Sequence, residues 1–285
     1  MLAARPKTLL ASVAPVVIGS AMAVRDGAGH WPTALAALSG AMLIQIGTNF
    51  CNDYCDFLKG ADTARRQGPT RAVQAGLIAP RVMLRATVLV FALAALACVL
   101  LVARAGVPLL AVAALSIVCG ALYTAGPYPL AYLGLGDVFV LIFFGPVAVG
   151  GTYYAQALAL PWPVVAAGLS PGLLSVGLLT VNNLRDVDED RTAGKRTLAV
   201  RFGRRFAVAE YTACVSVAFL IPVALALTTG RGGAVCLPVV LFALALPVFR
   251  RVARETTGAG LNPALGATAR LLFLHSVLFT IGWMA

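Results

Sequence analysis

The chain has 285 residues, of which 60% are hydrophobic and only 12% are charged. A soluble domain contains about 45–50% apolar and about 25% charged residues, so this composition excludes an ordinary soluble protein and indicates a chain largely embedded in lipid. The net charge of +11 would suit a nucleic-acid-binding protein, but the basic residues lie between apolar segments, and membrane topology accounts for them without nucleic acid.

Apolar segments of about the 20 residues that a membrane helix needs follow one another along the chain. They predict an all-α, polytopic transmembrane bundle of about nine helices. No second domain interrupts them, so residues 1–285 are predicted to form a single transmembrane domain. The predicted spans are residues 8–24, 33–52, 82–103, 106–123, 135–156, 163–183, 207–228, 232–249 and 268–284.

Lysine and arginine are distributed unevenly between the two ends of these spans. If the N-terminus is inside, only Arg25, Arg104 and Arg231 of the 22 basic residues lie outside. The positive-inside rule then predicts a cytoplasmic N-terminus. Two long loops, near 57–80 and 187–206, are predicted to lie on the same side, so we expect function there.

The end of the predicted second span carries the first polar cluster, residues 49–56 (NFCNDYCD). Its two cysteines point away from the polar residues and are interpreted as packing residues. At about 100° per residue, the polar side chains fall within one helical arc of about 100°; these are Asn49, Asn52, Asp53 and Asp56.

A second cluster, residues 182–190 (NNLRDVDED), ends the predicted sixth span. Asn182, Asn183, Asp186 and Asp190 again share one arc, whereas Asp188 points away and is expected to be solvated. Each cluster closes the second helix of a four-helix set. The sequence therefore predicts two four-helix pseudo-repeats followed by a last helix, as is common in membrane proteins.

Acidic residues are concentrated in and beside these clusters. Carboxylates near a membrane are costly unless they are paired or bind a ligand. Carboxylate oxygens suit Mg²⁺, which also uses waters and substrate phosphates. Two clusters therefore predict two Mg²⁺ ions on one diphosphate, assisted by basic loop residues. The acidic residues are Asp53, Asp56, Asp62, Asp186, Asp188, Glu189 and Asp190, and the basic ones are Lys59, Arg66, Arg71, Arg191, Lys195 and Arg196.

Two other interpretations fit parts of this pattern. Asn and Asp favour helix ends, so the clusters could be caps at a membrane edge. Duplicated halves with polar residues also suit a transporter, but a transporter should place polar groups near helix midpoints. Here the polar residues collect at one end, which favours a ligand site on the cytoplasmic face.

The segments around both clusters resemble the UbiA superfamily of intramembrane aromatic prenyltransferases. The resemblance spans most of residues 5–206 and is closest to the branch that prenylates 1,4-dihydroxy-2-naphthoate in menaquinone biosynthesis. Tyr123 is not followed by the Lys-Arg pair usual in the 4-hydroxybenzoate branch. The matching stretches are RPKTLLASVAPVVIGSA (5–21), QIGTNFCNDYCDFLKGAD (45–62), RQGPTRAVQAG (66–76), YTAGPYPLAYLGLGDVFVLIFFGPVAVGGTYY (123–154) and NNLRDVDEDRTAGKRTLAVRFG (182–203).

The resemblance implies a fold and an activity. It implies nine helices around a central cavity, in a bacterial inner membrane, with the active site on the cytoplasmic side. It implies Mg²⁺-dependent transfer of a polyprenyl group from polyprenyl diphosphate to 1,4-dihydroxy-2-naphthoate with decarboxylation, giving demethylmenaquinone. A related enzyme with another aromatic acceptor is the alternative.

Individual roles follow from the clusters and the resemblance together. The expected metal ligands are Asp53, Asp56, Asp62, Asp186 and Asp190, of which all except the loop residue Asp62 are also the expected catalytic residues. The expected diphosphate contacts are Asn49, Asn52, Lys59, Arg66, Arg71, Asn182 and Lys195.

Six further side chains receive interpretations. Tyr123 is expected to orient the aromatic acceptor or help remove a proton, with an interfacial belt residue as the alternative. Asp137 is interpreted as an N-cap. His275 is assigned no function. Phenylalanines of the predicted fifth span could line a groove for the isoprenoid tail or simply pack; they are Phe139, Phe143 and Phe144.

Overall fold

The computed structural model describes residues 2–61 and 67–285. Throughout these residues the regular secondary structure is helical, which confirms the all-α prediction. After a 3₁₀ turn at Leu2–Ala4, the helices are α1 (Pro6–Arg25), α2 (Trp31–Leu58), α3 (Pro80–Ala105), α4 (Val107–Leu122), α5 (Gly136–Ala157), α6 (Trp162–Arg185), α7 (Val187–Thr192), α8 (Leu198–Thr229), α9 (Gly233–Arg254, with a 3₁₀ start at Gly233–Leu241) and α10 (Gly258–Met284).

Eight of these helices in the described residues are long and apolar enough to cross a membrane. The shorter α4 has 16 residues and is the ninth apolar helix. At about 1.5 Å per residue it spans about 24 Å, slightly less than a typical hydrocarbon core. The helices agree with the predicted spans in number and order, and the chain is a multi-pass membrane protein.

Several helix boundaries extend beyond the predicted spans, as at the start of α8, which is Leu198 rather than residue 207. Helix α2 continues through the first polar cluster to Leu58. Helix α10 begins at Gly258 rather than near residue 268, because the Thr257 side chain accepts a hydrogen bond from the Gly260 amide. Hydropathy missed this start because the first turns of α10 are less apolar than its later ones. These first turns place Asn262 within hydrogen-bond distance of Arg185 at the end of α6.

Helix α5 is broken in its middle. A π-helical segment spans Phe143–Val147, and Gly145 has non-helical angles (φ −113°, ψ −112°). Pro146 has no amide proton to donate, which favours an irregular turn here. A Cβ atom built on Gly145 would lie 2.8 Å from the Gly168 carbonyl oxygen, and one on Gly172 would lie 2.6 Å from the Leu141 carbonyl oxygen. Backbones of α5 and α6 therefore touch directly.

Polar contacts tie the helices together at the end of the bundle opposite the two clusters. Arg104 donates hydrogen bonds to the carbonyl oxygens of Ala155 (3.1 Å) and Gln156 (3.1 Å). Asp26 accepts a hydrogen bond from the Tyr153 hydroxyl at 2.8 Å and pairs with Arg231 at 3.1 Å. Two of the three basic residues predicted to lie outside therefore have structural partners at this end.

Candidate active site

A cavity of about 330 Å³ runs between the helices, and both predicted clusters contribute to its polar end. Its polar wall comes from the ends of α2 and α6 and from α7. Beyond these residues the wall is mainly apolar and includes all three phenylalanines that the sequence suggested. The polar lining includes Asn49, Asn52, Asp56, Arg71, Asn182, Asn183, Asp186, Asp190 and Lys195, and the apolar lining includes Phe139, Phe143, Phe144, Leu101 and Leu109.

Asp56 is the most highly connected carboxylate of the first cluster. It is 1% exposed. Its Oδ2 accepts from Arg71 at 3.0 Å and from Lys195 at 3.1 Å, while Oδ1 accepts from the Tyr132 hydroxyl at 3.1 Å. Buried ionised carboxylates require such partners. Two cationic side chains from loops, Arg71 and Lys195, therefore lie directly beside this carboxylate.

Lys195 connects the two clusters. Its Nζ lies 3.1 Å from Asp56 Oδ2 and 3.7 Å from Asp190 Oδ1. It also lies 5.2 Å from the centroid of the Tyr132 ring, a cation–π distance. The structure thus brings the end of α2 and helix α7 together around one ammonium group.

Asp186 has a different environment. Arg185 forms a fork with it, with Nε to Oδ1 and Nη2 to Oδ2 both at 2.6 Å. The same Nη2 donates to Asn182 Oδ1 at 2.8 Å, and Nη1 donates to Asn262 Oδ1 at 3.3 Å. Both charged side chains are buried. Arg185 therefore neutralises the second cluster and fixes it against the start of α10.

Asp53 differs from the other predicted ligands because it is not among the residues that line the cavity. Its carboxylate accepts hydrogen bonds from the backbone amides of Ala72 (2.9 Å) and Val73 (3.2 Å). This contact holds the loop that carries Arg71. Helical phase alone grouped Asp53 with its neighbours, and it could not reveal a loop that folds back onto the helix.

The predicted amide and lysine contacts are also located. Asn49 donates to the Ala4 carbonyl oxygen at 3.0 Å, and Asn52 accepts from the Thr124 hydroxyl at 2.7 Å. Lys59 donates to the Thr124 carbonyl oxygen at 2.7 Å. Both asparagines line the cavity, whereas Lys59 does not, although its partner Thr124 does.

Several loop residues lie elsewhere. Arg191 and Arg196 are exposed and do not line the cavity. Asp188 is 90% exposed at its side chain, which confirms that it points away from the cluster. Asp62 and Arg66, a predicted metal ligand and a predicted diphosphate contact, lie outside the described residues.

Sequence reasoning missed Tyr132, Arg185 and Thr124. Arg185 was counted only as a topological charge, although its position next to Asp186 in a polar cluster could have signalled a buried pair. Tyr132 and Thr124 lie in the connection between α4 and α5, and no local spacing links them to α2. Their contacts arise only when this connection packs over the cavity.

Tyr123 follows α4 and lines the cavity. A Cβ atom built on Gly136 would lie 2.9 Å from its hydroxyl oxygen, so the hydroxyl lies against the start of α5. Burial raises the pKa of Tyr123, and the negative charges of Asp137, Asp190 and Asp56 raise it further. At neutral pH the side chain is therefore a neutral phenol that can donate a hydrogen bond.

Asp137 is not the N-cap that the sequence suggested. Helix α5 begins at Gly136 with Leu135 in the N-cap position, and no side chain caps it. The pattern GLGD resembled a cap because glycine precedes an acidic residue, but Asp137 lies one residue inside the helix.

The oxygen ligands at the polar end suit Mg²⁺. No three carboxylate, histidine or cysteine groups in the described part of the chain form a closed metal cage. Mg²⁺ needs no such cage, because it binds one or two carboxylates together with waters and substrate phosphates. Asp56, Asp186 and Asp190 offer carboxylates to a shared cavity, so the residues present fit this ion.

Comparison with known proteins matches this arrangement to one family. The model of the UbiA prenyltransferase family matches residues 12–277. A 1,4-dihydroxy-2-naphthoate octaprenyltransferase of Escherichia coli is 38% identical over 292 residues, covering 98% of this chain and 92% of the relative. The enzyme of that name from Mycobacterium tuberculosis is 42% identical over 226 residues, covering 79% of this chain and 77% of the relative.

Solved structures share the fold at low sequence identity. An apo UbiA homolog from Aeropyrum pernix superposes with a TM-score of 0.70 at 18% identity, covering 96% of this chain and 98% of that chain. A UbiA homolog from Archaeoglobus fulgidus, solved with DMAPP and Mg²⁺, gives 0.64 at 15% identity, with 98% of each chain covered.

Proposed function

The chain belongs to the UbiA prenyltransferase family, and we propose that it transfers a polyprenyl group from polyprenyl diphosphate to 1,4-dihydroxy-2-naphthoate. Decarboxylation of the acceptor then gives the quinol form of demethylmenaquinone, because no oxidant takes part in this step. One observation carries the proposal: Asp56, Asp186 and Asp190 meet cationic side chains at the polar end of a cavity whose remaining wall is mainly apolar. The relatives' names support the choice of acceptor.

Two Mg²⁺ ions are proposed, held by Asp56 from the first cluster and by Asp186 and Asp190 from the second. When bound, Mg²⁺ supplies Lewis-acid stabilisation to the diphosphate leaving group. A ligand role for Asp53 would require its carboxylate to leave the amides of Ala72 and Val73. In the proposal Asp53 therefore holds the loop that carries Arg71.

Arg71 and Lys195 bind the diphosphate oxygens. Both now contact Asp56, so an arriving diphosphate finds them already positioned. Arginine matches phosphate oxygens with a planar fork, and lysine adds a compact charge. Their charges stabilise the negative charge that grows on the leaving group, which is the main electrostatic contribution that these residues can make.

The reaction needs little acid–base chemistry. The allylic carbon–oxygen bond breaks and its electron pair leaves with the diphosphate. The electron-rich ring attacks the allylic carbon through the carbon that carries the carboxylate. Loss of carbon dioxide returns the electron pair of that bond to the ring. Phe139 and Phe143, which stack with centroids 6.0 Å apart on the cavity wall, help to exclude water that would capture the allylic cation.

The proposed location is a bacterial inner membrane, with the polar end of the cavity on the cytoplasmic side. The basic loops near this end support that orientation through the positive-inside rule. The isoprenoid tail lies in the apolar part of the cavity and in the surrounding lipid.

The test is an assay of purified full-length protein with a polyprenyl diphosphate, 1,4-dihydroxy-2-naphthoate and Mg²⁺. We expect a prenylated, decarboxylated product that disappears when EDTA removes the metal. If the naphthoate stays unmodified while another phenolic acid is prenylated, the proposed acceptor is wrong and the alternative acceptor class is correct. If no acceptor is prenylated, the proposed function fails as a whole.

A further inference from the structure

Asp137 is a buried carboxyl group for which the reaction described above gives no role. It is 7% exposed and belongs to the cavity wall. Its Oδ1 is fully buried and has no hydrogen-bond partner in the described part of the chain. An unsatisfied buried polar group costs free energy, so its persistence at a cavity wall points to a ligand that completes it.

The surroundings of Asp137 suit an aromatic ligand better than an ion. The preceding residue, Gly136, lies against the Tyr123 hydroxyl, and a Cβ atom there would also lie 3.4 Å from Leu179 Cδ2. No described cation forms an ion pair with Asp137, and the nearby cationic groups instead bind Asp56 and Asp190. The Asp137 carboxyl group is thus an isolated hydrogen-bonding group, one residue along α5 from a glycine that contacts a phenol and an aliphatic side chain.

The position is also close to the expected reaction centre. Tyr123, Asp137, Asp56 and Asp190 all line the same cavity. A ligand that touches Asp137 and Tyr123 therefore lies near the diphosphate end of the cavity. Glu210 on α8 is a second acid within electrostatic reach of Asp137, but it is not part of the cavity wall.

We infer that Asp137 binds the aromatic acceptor by accepting a hydrogen bond from one of its phenolic hydroxyl groups, beside Tyr123. This inference rests on the proposed function and names a residue that determines acceptor specificity. Either protonation state of the carboxyl group offers an oxygen that accepts such a bond. The contact fixes which ring carbon faces the allylic carbon, and orientation of this kind is a major source of rate in reactions between two substrates.

The experiment compares steady-state kinetics of Asp137→Leu, Asp137→Asn and Glu210→Gln with the unmodified protein. Acceptors are 1,4-dihydroxy-2-naphthoate and its two mono-O-methyl ethers, at saturating prenyl diphosphate and Mg²⁺. Asp137→Leu is expected to raise KM for the acceptor by about tenfold or more, because a buried hydroxyl loses its partner. KM for prenyl diphosphate should stay within about twofold, since that substrate does not need the contact.

The two methyl ethers test whether an acceptor hydroxyl group donates a hydrogen bond to Asp137. In the unmodified protein one ether should bind about tenfold more weakly, because it cannot donate to Asp137. In Asp137→Leu the same ether should bind almost as well as the diol does, because the contact is already absent. Asp137→Asn keeps an accepting oxygen and adds a donor, so it should bind the diol well and show a smaller ether penalty. Glu210→Gln, which removes the neighbouring acid, should behave as the unmodified protein does.

Several results would overturn the inference. One is an unchanged acceptor KM in Asp137→Leu, and another is an equal rise in both KM values. A third is a loss of affinity on methylation of the hydroxyl group that is as large in the variants as in the unmodified protein. If Asp137→Leu does not fold, the ether penalty in Asp137→Asn decides alone. If another phenol proves to be the acceptor, the same series is run with it, so failure of the proposed function is seen separately.

Discussion

At the scale of single residues, Asp56, Asp186 and Asp190 are buried, and each has a cationic neighbour. Arg71 and Lys195 contact Asp56, and Arg185 contacts Asp186. Removing two charges from water is costly unless the geometry is good and further hydrogen bonds satisfy the remaining groups. The site therefore consists of charge pairs that remain stable before any substrate arrives.

Asp186→Asn tests the metal-binding role. The substitution keeps the side-chain volume but removes the negative charge from the second cluster. We expect Mg²⁺ affinity, measured in the presence of prenyl diphosphate, to fall by about 10- to 100-fold, with a matching loss of turnover. Asp188→Asn is the matched control, because that side chain is 90% exposed and should change neither value. Full activity in Asp186→Asn would rule out the ligand assignment.

Arg185→Gln tests the buried pair. Without the guanidinium group, Asp186 becomes an uncompensated buried charge, and breaking such a pair typically costs about 3–5 kcal/mol. We expect a clearly lower melting temperature in detergent without metal, partly restored by Mg²⁺ with prenyl diphosphate. Arg191→Gln is the control, since the Arg191–Asp188 pair is exposed and should contribute almost nothing. Equal melting temperatures for Arg185→Gln and the unmodified protein would contradict the pairing.

At the scale of helices, the sequence predicted the main spans and the shared faces of the polar clusters. Hydropathy identifies apolar segments that are long enough to span a membrane, and helical phase correctly separated Asp56 from Asp188. It could not predict a contact with a distant segment, such as that of Asp53 with the backbone amide of Ala72. It also gave no signal for the break at Gly145, because hydropathy does not report backbone angles. The cap role of Asp137 failed for a related reason, since an acid near a helix start can lie one residue inside it.

The close packing of α5 on α6 gives a prediction at this scale. Gly172→Ala would place a methyl group 2.6 Å from the Leu141 carbonyl oxygen and 3.0 Å from Gly145 Cα. Backbone cannot move aside as a flexible side chain can, so the helices must separate. We expect a loss of stability of about 1–3 kcal/mol, seen as a lower melting temperature in detergent.

Gly266→Ala is the control for this prediction. Gly266 also lies within a membrane helix, but a Cβ atom there meets nothing within 4 Å. Alanine has the higher helix propensity, so this variant should be unchanged or slightly more stable. If Gly172→Ala melts at the same temperature as Gly266→Ala, the direct backbone contact between α5 and α6 is not required.

At the scale of the whole molecule, orientation is the property that charge distribution predicts and the fold alone does not show. Single cysteines introduced at Gln67, beside the site, and at Gly232, at the other end, are both exposed positions. With membrane-impermeant thiol reagent, Gln67→Cys should react only from the cytoplasmic side and Gly232→Cys only from the opposite side. Reaction of the unmodified protein gives the background of its own six cysteines. Reversed labelling would overturn the proposed orientation.

The contacts at the end of the bundle opposite the clusters bear on the proton gradient across the membrane. A cavity with a polar mouth could become a path for protons, and that would dissipate the gradient that respiratory quinones help to build. Arg104 holds two backbone carbonyl groups of α5, and Asp26 joins Tyr153 and Arg231. None of these described residues belongs to the cavity wall. We expect these contacts to keep that end of the bundle closed to protons while the polar end of the cavity is hydrated.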